Sequence, residues 1–69
     1  MIIGTMVAWE MLDGNTMAGE LRSTPAFKDG KVIVKRVDGT LCYADQTAIR
    51  VASFEDIDAA LAFFENLGK

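Results

Sequence analysis

The chain has no histidine, and this limits the chemistry that its 69 residues can perform. Histidine is the commonest general base and a common metal ligand, so neither a Ser-His-Asp nor a Cys-His catalytic arrangement can form within one copy. The only cysteine, Cys42, permits no disulfide within the chain and no zinc site of the usual Cys/His type. Because Cys42 lies in a predicted strand, we interpret it as a small buried apolar residue rather than a nucleophile.

Two fragments partly match ligand-binding motifs, and both fail at essential positions. A phosphate-binding loop ending at Gly30 would need a glycine where Pro25 stands. A calcium-binding loop beginning at Asp13 would need a glycine where Ala18 stands. The other carboxylates lie in predicted turns or on the polar side of a predicted helix. The sequence therefore predicts no catalytic, cofactor-binding or metal-binding residue, and we expect the protein not to be an enzyme.

A basic cluster is the remaining constellation with a chemical use, as a contact for nucleic acid. Its members are Lys28, Lys31, Lys35 and Arg36. Trp9 and Tyr43 could add stacking for single-stranded bases. In a strand, however, Lys31 and Lys35 point to one side and Arg36 to the other, and lysines on a strand also discourage edge-to-edge pairing. Binding of nucleic acid is therefore the alternative hypothesis.

The last third of the chain carries the clearest structural signal, a helix over residues 54–67. Ser53 is a favourable N-cap, and Asp56 is placed to complete a capping box with it. Gly68 and Lys69 suit the C-terminal end of this helix. Apolar residues recur every three or four positions and predict one buried stripe, formed by Phe54, Ile57, Ala60, Leu61, Phe64 and Leu67.

Phe63 lies about 110° from the centre of this stripe, on the same flank as Asp56. It packs either under a loop or sheet edge, or against a partner, and the sequence leaves both open. The apolar content is 51% in a chain too short for a large core, which favours association into a homo-oligomer. The candidate partner contacts are Phe63, Trp9, Met6 and Met11, since methionine adapts well to binding surfaces.

The first third of the chain predicts two strands. Residues 2–12 are apolar on both faces, which favours a strand buried on two sides, although a helix is also compatible. A turn signal at residues 13–15 precedes a second strand over residues 16–23, and residues 25–30 form a predicted loop.

Residues 31–44 predict the clearest hairpin. Asp38-Gly39 between two β-rich runs is typical of a two-residue type I′ loop. That loop would pair Val34 with Tyr43 and fix which side chains share a face. We therefore predict a core face made of Val32, Val34, Leu41 and Tyr43.

A last strand over residues 47–52, with Ile49 and Val51 inward, completes the predicted sheet. Short connections between strands imply antiparallel neighbours. The sequence thus predicts one α+β domain over residues 1–69. Its small antiparallel sheet of four to five strands is covered on one face by the C-terminal helix 54–67.

The net charge of −3 arises entirely in the last 16 residues, because residues 1–53 carry six acids and six bases. The N-terminus has no basic segment, and no stretch of about 18 apolar residues occurs, so we expect a cytoplasmic protein without a signal peptide. The leading hypothesis is a small non-enzymatic protein–protein interaction module that self-associates. Besides nucleic-acid binding, a second alternative is an inhibitor or antitoxin-like protein of a phage or mobile element, acting through its acidic helix.

Overall fold

The computed structural model describes residues 2–23 and 30–67 and confirms the predicted α+β architecture. Five antiparallel strands precede one helix, which packs against the second strand. The elements are β1 Met6–Glu10, β2 Thr16–Leu21, β3 Lys31–Arg36, β4 Leu41–Asp45, β5 Arg50–Val51 and α1 Phe54–Leu67.

The sheet is curled, because its two outer strands are joined by a very short link. The strand order is β4-β3-β2-β1-β5, so β4 and β5 lie at opposite edges. Four strand spacings in a flat sheet would separate these edges by about 19 Å. The five peptide units from Asp45 to Arg50 reach about 17 Å when fully extended, and a turn from Asp45 to Ala48 shortens them further. The sheet must therefore bend so that its edges approach each other.

The curl encloses the first core cluster. The cluster contains Val7, Leu21, Val32, Val34 and Ala44, and Ile49 of the β4–β5 link packs against it. Strand register places all five buried members on one face of the sheet, which we call the inner face. Within the part of the chain that the structure describes, this core is thus closed by Ile49 of the link and not by a residue of α1.

The second core cluster joins the sheet to α1. Its fully buried members are Ala8, Met17, Ala18 and Ala60, three of which are alanines. Ala8 and Ala18 face each other across β1 and β2, on the opposite face from Val7. Small side chains at these positions let the helix approach the sheet closely.

The N-terminal segment forms a turn followed by β1, not one long strand. The Thr5 N–H donates to the Ile2 carbonyl, and Gly4 has a φ of 97°, which favours glycine. The predicted strand is confirmed over Met6–Glu10, where neighbouring Val7 and Ala8 are both fully buried. The last strand is shorter than predicted. Its pairing with Val7 places Val51 on the inner face, as predicted, but the side chain remains exposed at this edge strand.

The β3–β4 hairpin has a three-residue loop, so its predicted register was wrong by one residue. The Arg36 N–H donates to the Thr40 carbonyl, and Gly39 adopts a φ of 91° between them. This is the pattern of a type I turn with a glycine bulge. Ile33 therefore pairs with Tyr43. Since a one-residue shift reverses the faces of a strand, Leu41 and Tyr43 point outward, and Cys42 and Ala44 join the core face instead.

The helix begins as predicted, with a complete capping box. The Asp56 N–H donates to Ser53 Oγ at 3.2 Å, and the Ser53 N–H donates to Asp56 Oδ2 at 3.0 Å. Asp56 also forms an ion pair with Arg50 of β5, at 2.7 Å. The predicted C-terminal residues Gly68 and Lys69 lie outside the described residues.

The buried face of the helix is rotated from the predicted stripe towards Phe63. Phe63 packs against the second core cluster together with Ile57 and Phe64. Three members of the predicted stripe are exposed instead: Phe54, Leu61 and Leu67. Asp56 lies on the same flank as Phe63, so its ion pair with Arg50 turns this flank towards the sheet.

Protonation of Asp56 should weaken the fold in acid. Hydrogen bonds, first from Ser53 and then from Arg50, hold the pKa of Asp56 below its ordinary value of 3.8. Stabilisation from a lowered pKa is present above the unfolded-state pKa and is lost as pH falls through the folded-state pKa. We expect Asp56→Asn to lower the free energy of unfolding at pH 7, and this difference from wild type to shrink as pH falls below 3.8.

Urea unfolding followed by Trp9 fluorescence at several pH values measures this difference. Asp58→Asn is the matched control, because Asp58 is an exposed acid two residues further along the same helix. A similar pH-dependent loss in both variants would contradict the role assigned to Asp56.

Candidate interaction surface

The outward face of the β3–β4 hairpin carries an exposed apolar group of side chains. Ile33 and Tyr43 are paired across the strands, and Leu41 lies two residues from Tyr43 on the same face. Leu41 is 64% exposed and Tyr43 is 56% exposed. We call Ile33, Leu41 and Tyr43 the hairpin patch. Because α1 packs on β2, it leaves this patch accessible.

A small cavity opens within the hairpin patch. It measures about 150 Å³ and is lined by Ile33, Leu41, Cys42 and Tyr43. A cavity of about this volume accommodates one apolar group the size of benzene. The patch therefore offers a recess for a single leucine or phenylalanine side chain.

Charges around the hairpin patch nearly cancel. Lys31 lies opposite Asp45, and Lys35 lies opposite Glu20. Glu20 also pairs with Arg22 at 3.0 Å. These three bases and two acids leave an excess of one positive charge, so the surface is not strongly basic.

The predicted basic cluster is divided between surfaces. Lys31 and Lys35 point to the same side, as predicted, and the observed register adds Leu41 and Tyr43 to that face. Arg36 belongs to the other face, where its Nε donates to Thr40 Oγ1 at 2.8 Å and its guanidinium lies 5.7 Å from the Phe64 ring centroid. Lys28 lies outside the described residues.

The predicted partner contacts take part in the fold to different extents. Trp9 packs against both core clusters, and Met11 and Phe63 pack against the second. Met6 is half-buried in β1. Trp9 and Met11 also line an open groove of about 770 Å³. Phe63 borders another groove of about 490 Å³ and meets Phe64 edge-on at 5.5 Å.

Leu12 is the most exposed large apolar side chain among the described residues, and it is not among the predicted partner contacts. It lies in the β1–β2 turn, with its side chain fully in solvent. It lines the same groove as Trp9 and Tyr43. Leu12 therefore lies near the Tyr43 end of the hairpin patch. One sequence feature points to Leu12: it is an apolar residue directly before Asp13-Gly14, in a tight turn where polar residues are usual.

The titratable groups of the surface have structural explanations. Burial raises the pKa of the Cys42 thiol, which makes it a weaker nucleophile at neutral pH. Hydrogen bonds from Thr47 hold the pKa of Asp45 below its ordinary value, as expected for a carboxylate that stabilises a turn. Among residues 2–23 and 30–67, no three acidic or sulfur ligands come close enough to hold a metal ion.

Comparisons with known proteins add no assignment to this geometry. No family model matches the sequence, and no curated protein or solved structure is significantly similar to it. The described part of the chain contains no helix with the length and apolar character needed to cross a membrane. The functional argument therefore depends on the surface itself.

Proposed function

We propose that the protein is a small, non-enzymatic interaction module that self-associates through the hairpin patch. The observation that carries this proposal is the exposure of Leu41 and Tyr43 beside Ile33 around an apolar cavity. Contiguous apolar side chains on a small domain mark interaction sites, because their exposure to water is unfavourable. The free thiol of Cys42, half-buried on the inner side of β4, suits a reducing compartment such as the cytoplasm.

A second copy of the chain is the partner that fits this surface best. The patch carries acids and bases in near balance, so two identical surfaces can meet without strong repulsion. A strongly charged partner would gain little from an excess of one charge. A chain of this length also has a limited core of its own, which association would extend.

Replacing Leu41 with aspartate should weaken association by at least about tenfold, because a charge would be buried at the contact. In a symmetric dimer both copies carry the change, which increases the effect. Leu67→Asp is the matched control, since Leu67 is exposed to the same degree, 65% against 64%, but lies at the end of α1. Sedimentation velocity over a concentration series measures both variants. Equal weakening by the two substitutions would contradict the assignment to the hairpin patch.

Binding of single-stranded nucleic acid is the second candidate. Its support is that Lys31 and Lys35 lie on the same exposed face as Tyr43. The carboxylates opposite both lysines count against it. A titration with labelled single-stranded and double-stranded oligonucleotides at low salt separates the two candidates, because phosphate contacts are strongest there.

An inhibitor acting through the acidic helix has narrower support. Glu55, Asp58 and Glu65 are exposed on α1, whereas Asp56 is engaged by Ser53 and Arg50. Glu55 lies in the first turn and stabilises the helix N-terminus, which explains its presence without a partner. We therefore rank this candidate below self-association.

A further inference from the structure

The β1–β2 and β3–β4 loops have the same backbone pattern, but their apolar residues differ in burial. In each loop, the residue before an Asp-Gly pair is apolar, and the glycine has a positive φ: 86° at Gly14 and 91° at Gly39. Val37 in the second loop packs against the second core cluster. Leu12, at the equivalent position of the first loop, is fully exposed. The fold accounts for Val37 and leaves the leucine without a packing role among the described residues.

We propose that the protein forms a two-fold dimer in which Leu12 of each copy inserts into the hairpin-patch cavity of the other. This inference rests on the proposed self-association and specifies its geometry. In a two-fold contact the same two sites meet twice, so each copy supplies one Leu12 and one cavity.

Size and charge both favour this pairing. The cavity of about 150 Å³ accommodates one apolar side chain, and its wall is formed mainly by Ile33, Leu41 and Tyr43. Leu12 is flanked in sequence by exposed acids, Glu10 and Asp13.

The surroundings of the cavity supply the complementary charges. An adjoining depression shares Ile33 and Leu41 with the cavity and is also lined by Arg22 and Lys35. Glu20 offsets one of these two positive charges, so the insertion brings the two acids that flank the leucine next to a border with an excess of one positive charge.

The positions of the two sites favour a closed dimer over an open chain. Leu12 and Tyr43 line the same groove, so the inserting residue and the cavity lie on one side of the molecule. Sites on the same side allow both insertions to occur in one two-fold contact. Sites on opposite sides would instead propagate into a ring or filament.

Cysteine cross-linking between two different chains tests this contact. Leu41 lines the cavity from the outward face, whereas the Cys42 side chain faces the inner core, so the reporting thiol is placed at position 41. One chain is ¹⁵N-labelled Leu41→Cys/Cys42→Ser, whose only thiol lies in the cavity wall. The other is Leu12→Cys/Cys42→Ser, whose only thiol replaces Leu12. Mild oxidation near pH 9 provides thiolate on both chains. Mass spectrometry then distinguishes the mixed disulfide from either homodimer.

We expect the mixed disulfide as the main covalent product, joining position 12 of one chain to position 41 of the other, at least fivefold above either homodimer. Dominance of either homodimer, or the absence of a covalent product, would overturn the proposed geometry. Light scattering of the unoxidised wild type separates this failure from failure of the proposed function. Association without the mixed disulfide rejects only the Leu12 contact, whereas a monomeric wild type rejects both.

Discussion

Gly19→Ala should destabilise the protein by about 3 kcal/mol or more, which is a large part of the total stability of a small domain. A chain of this length is stable by about 3–10 kcal/mol. Gly19 lies in the middle of β2, opposite Val7 on one side and Arg36 on the other. A Cβ added at Gly19 would clash with the Lys35 carbonyl oxygen. The same Cβ would lie 2.6 Å from Val34 Cγ1 and 2.9 Å from Arg36 Cα. Because two of these three atoms belong to the backbone, side-chain movement cannot relieve the contact.

Gly14→Ala is the control for this prediction. Gly14 needs glycine for its φ of 86°, but no atom lies within 4 Å of a Cβ built there. Alanine should cost about 1–2 kcal/mol from backbone strain alone. Urea unfolding of both variants compares the two effects. A smaller loss at Gly19 than at Gly14 would show that β2 and β3 do not approach each other as closely as described.

Leu21→Ala should destabilise the protein by about 2–5 kcal/mol, because it empties part of the enclosed inner core. Leu21 is 1% exposed and packs with Val7, Val32 and Val34. Leu41→Ala should cost about 0.5 kcal/mol or less in the monomer, since that side chain is largely in solvent. The loss of stability on leucine-to-alanine substitution thus distinguishes Leu21 on the inner face from Leu41 on the outward face.

This pair of leucines also tests the hairpin register. With a two-residue loop, Leu41 would lie in the core, and its truncation would cost as much as that of Leu21. Thermal and urea unfolding at low protein concentration, where association is minimal, measures both variants. Similar losses in the two variants would contradict the three-residue loop.

Sequence patterns were sufficient for the elements whose signals are local. The capping box of Ser53 and Asp56, the turn at Asp13-Gly14 and the hairpin around Asp38-Gly39 all depend on residues close together in sequence. The two-sided apolar pattern of β1 also predicted burial on both faces, which Val7 and Ala8 show.

Predictions that depend on distant contacts were less successful. Asp-Gly is compatible with two-residue and three-residue loops, and the choice decides whether Tyr43 points inward or outward. The helix stripe was centred by counting apolar residues, but contact with the alanines of β1 and β2, and the ion pair between Arg50 and Asp56, set its rotation. Phe63 therefore packs against the sheet, and Phe54 is 88% exposed.

The candidate surface was only partly accessible to sequence reasoning. Trp9 and Met11 were selected as partner contacts and do line a groove at this surface. The hairpin patch does not follow from the sequence, because the predicted register places Leu41 and Tyr43 in the core. Leu12 was missed because exposure of a turn residue depends on whether a neighbouring element covers it, and the sequence does not show this.

Light scattering of the wild-type protein tests self-association most directly. One chain has a mass of 7.5 kDa. We predict that the measured mass rises towards twice this value as the protein concentration increases into the high micromolar range, and that Leu41→Asp returns it to the mass of one chain. A wild-type mass of one chain at every concentration would contradict this prediction.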